Sequence, residues 1–158
     1  MSKEKLKFSK EANAKLVGIK EWSPVKNPKV YSISLLSGFS CPGAKECQTY
    51  AIRDKVTGKR TILDGKYQEF RCFSASQEAQ YKETYNQRKH NFDLVKKYRY
   101  DFVSLFTLIQ NSLPKNATYI RVHVGGDFLS EEYMLAWYSV ARFNSQTKFY
   151  AYTKSIQF

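Results

Sequence analysis

Three cysteines occupy positions from which they could bind one metal centre. Cys41 and Cys47 follow the apolar segment that begins at Val30, and Cys72 directly precedes a long helical pattern. Thiols in loops beside the ends of secondary-structure elements are typical of ligands, whereas structural free cysteines are usually buried. An odd number of cysteines also disfavours a closed disulfide framework. The pattern therefore predicts metal or iron–sulfur binding through these three thiols.

Three thiolates fit two kinds of centre. Around a [4Fe-4S] cluster they leave one iron open, and with a fourth ligand they complete a closed tetrahedral zinc site. His123 is a candidate for that fourth ligand, or for a residue that transfers protons. Two alternatives stay open: three unrelated free cysteines, or a Cys41–Cys47 disulfide, which a reducing cytosol disfavours.

A second group of candidate residues surrounds the segment Gly125-Gly126-Asp127. The two glycines permit a ligand to approach the backbone closely, and Asp127 supplies a carboxylate. Arg121 could bind a carboxylate or a phosphate through two parallel hydrogen bonds. The alternatives are structural: Asp127 caps a tight turn, Arg121 pairs with a buried acid, and His123 forms a hydrogen bond within a packed interior.

Hydrophobic periodicity predicts the elements that position these residues. Strands are expected at Val30–Leu36, Thr118–Val124 and Lys148–Thr153, and helices from Ser74 to about Tyr98, from Asp101 to Leu113 and from Ser130. This order predicts parallel strands joined by right-handed helical crossovers. The fold class is therefore α/β, as a partial (β/α) barrel or a small, curved parallel sheet with helical crossovers. The cysteine loop, Gly125–Asp127 and Lys154 each follow a strand, so we expect them at one edge of the sheet.

Several local details are also predicted. Ser74 and Gln77 have the spacing of a capping box. In the second strand the apolar face carries Ile120, Val122 and Val124, and the polar face carries Tyr119, Arg121 and His123. Residues 39 to 73 form a long connection with little regular structure, in which residues 56–61 make a turn.

Length and composition indicate one domain of 158 residues with a formal net charge of +12. We divide it into a basic N-terminal segment, residues 1–29, and an α/β domain, residues 30–158. A full barrel needs about 250 residues, so the domain is either naturally short or incomplete at its C-terminus. Neither a membrane span nor a secretory signal is apparent, and the expected location is cytoplasmic. The charge indicates a solvated basic surface, or a nucleic-acid or other polyanionic partner.

Three stretches resemble the gene-product-88 family of phage and plasmid proteins. They are residues 34–47, with Cys41-Pro42-Gly43-Ala44 and Cys47; residues 71–75, with Cys72; and residues 121–137, with Gly125-Gly126-Asp127, Tyr133 and Trp137. The resemblance spans roughly residues 30 to 154 and does not define an activity. For a phage-encoded chain it implies a location in the host cytoplasm.

The arrangement is also distantly similar to radical S-adenosylmethionine enzymes, in which three cysteines after the first barrel strand hold a [4Fe-4S] cluster. That similarity implies Cys41, Cys47 and Cys72 as cluster ligands. It implies Gly125 to Asp127 as the segment that binds the amino group of S-adenosylmethionine, with Arg121 and His123 lining the pocket. Five residues separate the first two cysteines and 24 separate the second and third, whereas that superfamily has a compact triplet.

We therefore expect an iron–sulfur protein, with radical chemistry on an unknown substrate if it is an enzyme. The alternative is a non-enzymatic basic module that binds nucleic acid and keeps a structural zinc or free thiols. A third possibility is a metal-dependent nuclease that uses Asp127 and His123, although no second carboxylate has a convincing spacing.

Overall fold

A computed structural model describes residues 4–11, 14–67 and 71–158. The strands are β1 (Ser9–Lys10), β2 (Val30–Ile33), β3 (Tyr50–Arg53), β4 (Arg60–Leu63), β5 (Tyr119–Val122) and β6 (Lys148–Ala151). The helices are α1 (Ala14–Val17), α2 (Ile19–Trp22), α3 (Phe73–Gln80), α4 (Lys82–Lys97), α5 (Phe102–Ser112) and α6 (Glu131–Phe143). None of the helices in these ranges combines the length and the apolar character needed to cross a membrane. Residues 1–3 and 12–13 of the predicted basic segment lie outside the described residues.

The main sheet has four strands in the order β1-β2-β5-β6. Strands β2, β5 and β6 are parallel, with Val30 opposite Tyr119 and Ile120 opposite Phe149, so the predicted parallel arrangement is confirmed. Strand β1 is antiparallel to β2, which makes the sheet mixed and the fold a mixed α/β fold. The described strands form no closed barrel, and β6 has a neighbouring strand on one side only. The partial barrel stays a prediction.

Helices α5 and α6 cover one face of the sheet with the main apolar core. Leu105 and Ile109 of α5 and Val140 of α6 pack there with Ile33 and Ile120 of the strands. Each helix begins at a side chain that accepts a hydrogen bond from an otherwise unpaired backbone N–H, as an N-cap should. These caps are Asp101, which accepts from the backbone N–H of Ser104, and Ser130, which accepts from that of Tyr133.

The N-terminal segment is built into the domain. Leu6 is buried in the main core, and its backbone N–H donates to the hydroxyl of Ser112 over 2.8 Å. On the opposite face of the sheet, Leu16 and Ile19 form a smaller apolar cluster with strand residues. Helices α1 and α2 therefore cover the amino ends of β2 and β5 on that face.

The single long helix predicted from Ser74 is divided in two. Tyr81 has extended backbone angles, with φ −112° and ψ 113°, and separates α3 from α4. No glycine or proline marks this position, so tertiary contacts account for it: Arg88 of α4 donates to the carbonyl of Ser74 and to the carboxylate of Glu78. The expected capping box is also wrong, because the hydroxyl of Ser74 donates to the carbonyl of Val124 and α3 begins after Cys72.

Residues 39 to 73 contain more regular structure than predicted. Strands β3 and β4 pair as an antiparallel hairpin within this connection. Its turn includes part of the predicted turn at residues 56–61, where the carboxylate of Asp54 accepts hydrogen bonds from the backbone N–H groups of Val56 and Thr57. The hairpin was missed because most of its side chains are exposed and lack the alternation of a half-buried strand.

Candidate functional site

The segments that carry the three cysteines lie close together near the carboxyl ends of the parallel strands. Cys41 and Cys47 belong to a series of turns after β2, and Cys72 is the residue at which α3 begins. All three are half-buried free thiols. They interact electrostatically in two pairs, Cys41 with Cys72 and Cys47 with Cys72. The fold therefore brings together thiols that are distant in the sequence.

Thr49 ties the segments of Cys47 and Cys72 to each other. Its buried hydroxyl donates to the carbonyl of Cys47 over 2.9 Å and accepts the backbone N–H of Cys72 over 3.2 Å. The thiols of these two cysteines also lie close enough for Cys72 to raise the pKa of Cys47. Sequence reasoning did not single out Thr49, since its role depends on a contact across 23 positions.

The thiols of Cys41 and Cys47 are poor acids in this environment. Burial raises the pKa of Cys41 to about 12, against the opposing effect of a hydrogen bond from the backbone of Gly38, and the negative charges of Asp127 and Cys72 raise it further. Burial also raises the pKa of Cys47, and the charge of Cys72 adds to that effect. At neutral pH Cys41 is therefore a thiol, and a metal ion would have to displace its proton.

The cysteine loop packs against the chain that follows β6. A Cβ atom on Gly43 would lie 2.2 Å from the carbonyl oxygen of Lys154, so only glycine permits this approach. Gly43 therefore has a packing role in the cysteine loop. Lys154 was expected at this edge, and its backbone lies there.

The segment Gly125-Gly126-Asp127 packs directly against the cysteine loop. Gly126 has a left-handed φ of +79°, and a Cβ atom there would lie 2.5 Å from Oγ of Ser40. The backbone N–H of Asp127 donates to the same hydroxyl over 3.4 Å. The carbonyl of Gly125 accepts the backbone N–H of Leu35 over 2.9 Å.

The carboxylate of Asp127 is buried and fully engaged within the chain. It accepts the hydroxyl of Thr153 over 2.6 Å, the backbone N–H of Lys154 over 2.8 Å and that of Phe128 over 2.8 Å. These contacts join the ends of β5 and β6. They match the structural alternative for Asp127, in which its carboxylate fixes a turn.

His123 lies in the core and not on the predicted polar face. Its backbone φ is +67°, so the strand alternation ends at Val122 and the next side chain turns towards the helices. The imidazole contacts Phe128, with ring centroids 4.8 Å apart, and its Nε2 lies 3.2 Å from the hydroxyl of Tyr133. Burial lowers its pKa to about 4, although the charge of Asp127 opposes this effect. Its Nδ1 is buried and has no hydrogen-bond partner among the described residues.

The same reversal moves Val124 to the opposite face. It packs with the smaller cluster that contains Tyr119, and not with Ile120 and Val122 as predicted. Arg121 keeps its predicted face. Its Nε donates to the carbonyl of His123 over 3.3 Å, and its guanidinium lies 5.3 Å from the ring centroid of Tyr152. Arg121 therefore faces an open cleft, whereas His123 faces the core.

A buried ion pair also supports the start of the cysteine loop. Glu78 accepts the backbone N–H and the hydroxyl of Ser37, and Arg88 donates to it over 2.8 Å. Burial raises the pKa of Glu78, against the opposing charge of Arg88. The buried stripe Ser74, Ala75 and Glu78 has helical spacing, which was the signal that could have identified this carboxylate.

Among the residues that the structure describes, no set of three or more histidine, cysteine or acidic side chains is arranged to hold a metal ion. The three thiols thus share a loop cluster without forming a finished ligand set. A metal centre at this edge would require the cysteine side chains to turn towards a common point.

Comparison with known families identifies a match over most of the chain. The gene product 88 family matches residues 3–158. The chain belongs to this family. No curated protein and no solved structure matches the chain significantly. The gene product 88 match covers nearly the whole chain, including the three cysteines and the Gly125–Asp127 segment, whereas none of the comparisons supports the distant similarity to radical S-adenosylmethionine enzymes.

Proposed function

We propose that this member of the gene product 88 family binds an iron–sulfur cluster through Cys41, Cys47 and Cys72. The observation that supports the proposal is the approach of these thiols at one sheet edge, from positions up to 31 residues apart. Thiolate sulfur is the ligand that iron–sulfur clusters require, and zinc also accepts it. Partial exposure of all three thiols provides a route for metal to enter.

Proton release should govern loading of such a centre. Metal ligation requires thiolates, so binding displaces the thiol protons and becomes more favourable as the pH rises. Burial raises the pKa of Cys41 to about 12, so loss of its thiol proton opposes metal binding at neutral pH. Incorporation of iron should therefore increase between pH 7 and pH 8.5.

Radical chemistry would also need a place for the amino group of S-adenosylmethionine beside the cluster. In this proposal Gly125 to Asp127 form that place, because Gly126 lies against Ser40, next to Cys41. An incoming amino group would compete for the Asp127 carboxylate with the hydroxyl of Thr153 and the backbone N–H of Lys154. Binding of S-adenosylmethionine is therefore a separate question, to be asked once a cluster has been found.

The test is metal and acid-labile sulfide analysis of protein purified without oxygen, together with its electronic spectrum. About four irons with sulfide per chain would support the cluster. One zinc without sulfide would assign the thiols to a structural zinc site. The absence of both iron and zinc would overturn the proposal. Each single Cys→Ser variant should lose the centre, and each thiol should be protected from alkylation in the loaded protein only.

Nucleic-acid binding is the second candidate function, and a basic groove favours it. The groove, of about 510 Å³, lies between the β3–β4 turn and α4 and carries Arg53, Lys55, Lys82 and Lys89. Its carboxylate, Asp54, is occupied by backbone N–H groups of the turn. In this candidate function the groove cations bind phosphates and displace counterions, which a net charge of +12 favours.

A salt series tests this second candidate. Binding of a labelled oligonucleotide should weaken steeply with salt, and the double variant K55Q/K82Q should lower the slope by about 0.7 for each lost contact on single strands. The control K26Q/K115Q removes the same charge from exposed positions outside the groove lining. Equal slopes for the two variants would rule out the groove, and no binding at low salt would rule out the function.

A further inference from the structure

A cleft that the cysteines do not use lies against the sheet. It has a volume of about 630 Å³ and lies on the face opposite the main core, beside β5, β6 and α2. The side chains that matter for its chemistry are Trp22, Arg121, Lys148, Tyr150 and Tyr152. None of the proposals above assigns a role to this cleft.

Flat aromatic surfaces are available to a ligand there. Trp22 is 70% exposed and Tyr152 is 72% exposed, although burying such rings is strongly favourable in water. Tyr150 lies edge-on to Tyr152, with ring centroids 6.2 Å apart. A planar group that stacks on these rings would remove apolar surface from water without any rearrangement of the core.

The charge of the cleft has one sign. Arg121 and Lys148 contribute two cations, and among the described residues no carboxylate belongs to its lining. Arg121 is held in place by Tyr152 and by the carbonyl of His123. The cleft therefore favours a ligand that is both planar and anionic.

We infer that this cleft binds unpaired nucleotides of single-stranded nucleic acid. The bases stack on Trp22 and Tyr152, and the phosphates lie near Arg121 and Lys148. Stacking needs an exposed base face, which duplexes conceal, whereas aromatic rings beside cations are the usual surface for single strands. This inference rests on the second candidate function, nucleic-acid binding, and it assigns the bases to a surface separate from the basic groove.

The chain offers a matched control for this cleft. On α6, Arg142 lies 5.9 Å from the ring centroid of Tyr138, which is also exposed, so a second Arg–Tyr pair exists outside the cleft. The double variants R121Q/Y152A and R142Q/Y138A remove the same groups and the same charge. Only the first pair belongs to the cleft lining.

The experiment measures fluorescence anisotropy with labelled 12-nucleotide oligo(dT), oligo(U) and a 12-base-pair duplex. We expect preference for single strands, about tenfold weaker binding by R121Q/Y152A, and a change within about twofold for R142Q/Y138A. Oligo(dT) should also quench Trp22, because the chain has two tryptophans and Trp137 is buried. If R121Q/Y152A fails to fold, the same binding measurement is made with W22A, because Trp22 is exposed and its replacement should not disturb folding.

The outcomes separate this inference from the function on which it rests. If the two double variants weaken oligonucleotide binding equally, or if duplex and single strand bind with equal affinity, the cleft is not the binding site. Charge-driven binding of nucleic acid would then still stand. Absence of binding to all three probes at low salt would overturn both. Binding of free nucleotides without binding of the oligomers would also overturn the inference, since the cleft would then be a small-molecule site.

Discussion

The hydroxyl of Thr153 lies 2.6 Å from Oδ1 of Asp127 and joins the ends of two neighbouring parallel strands. The same carboxylate accepts the backbone N–H of Lys154, whose carbonyl lies against Gly43 of the cysteine loop. Asp127 thereby connects β5, β6 and the cysteine loop through one side chain.

Replacing Asp127 by asparagine should destabilise the protein. The variant D127N exchanges a charged acceptor of three hydrogen bonds for an amide, so we expect the free energy of unfolding to fall by about 2–3 kcal/mol in urea denaturation. D93N is the control, because Asp93 pairs with Lys89 on the surface and should contribute less than about 1 kcal/mol. A stability unchanged from wild type would show that Asp127 is not a structural clamp.

Thr49 should determine how closely Cys47 and Cys72 are held. T49V keeps the side-chain shape but removes both hydrogen bonds, leaving a carbonyl and an N–H unsatisfied, at a cost of about 1–3 kcal/mol. Both thiols should then react faster with an alkylating reagent, measured by mass spectrometry. T107V, at an exposed helical position, should change neither quantity. Unchanged labelling of Cys47 in T49V would contradict the prediction.

Gly43 should be needed for docking of the cysteine loop. G43A places a Cβ 2.2 Å from the Lys154 carbonyl, so the loop must move and Cys41 should become more reactive. We expect a loss of about 1–3 kcal/mol in unfolding free energy, as for other overpacked sites. G58A is the comparison, since Gly58 has a left-handed φ but no atom near its would-be Cβ. Equal Cys41 reactivity in the two variants would argue against docking as the cause.

His123 should make stability depend on pH below neutrality. Burial lowers its pKa to about 4, against 6.5 in an unfolded chain, so the unfolded state binds the proton more readily. The contribution to stability is complete above pH 6.5 and is lost, by about 1.4 kcal/mol per unit, as the pH falls towards 4. Urea denaturation at pH 7, 5.5 and 4.5 measures this slope.

The variant H123N isolates that slope, because asparagine tolerates the left-handed φ of +67° and does not titrate in this range. Its stability should fall less than that of the wild type between pH 6.5 and pH 4.5. Parallel curves for the two proteins would assign the pH dependence to other groups.

Local patterns in the sequence were sufficient for much of the framework. The period of 3.6 in α5 and the cap at Ser130 predicted helices close to those observed, because each depends on neighbouring residues. The parallel order of β2, β5 and β6 followed from their alternation with helices. Strand β1 was missed, since Ser9–Lys10 is too short to show a period.

The features that sequence reasoning missed depend on distant contacts. The break between α3 and α4 at Tyr81 accompanies the hydrogen bond that Arg88 of α4 donates to Glu78 of α3. The side chain of His123 changes face because its backbone is left-handed, although the residue is not glycine. The loops that follow β2, β5 and β6 lie at one edge of the sheet, as predicted. Two of the hydrogen bonds to the carboxylate of Asp127 could not be predicted, because their donors are distant in the sequence.

Strand β6 affects the tendency of molecules of this protein to associate with one another. Among the described strands β6 pairs on one side only, and such an edge is a template on which another chain can extend the sheet. Repulsion between molecules that each carry a charge of +12 counteracts that association. Salt shortens the range of this repulsion to about 3 Å at 1 M. Concentrated salt is often added to keep basic proteins in solution, but here it should promote aggregation.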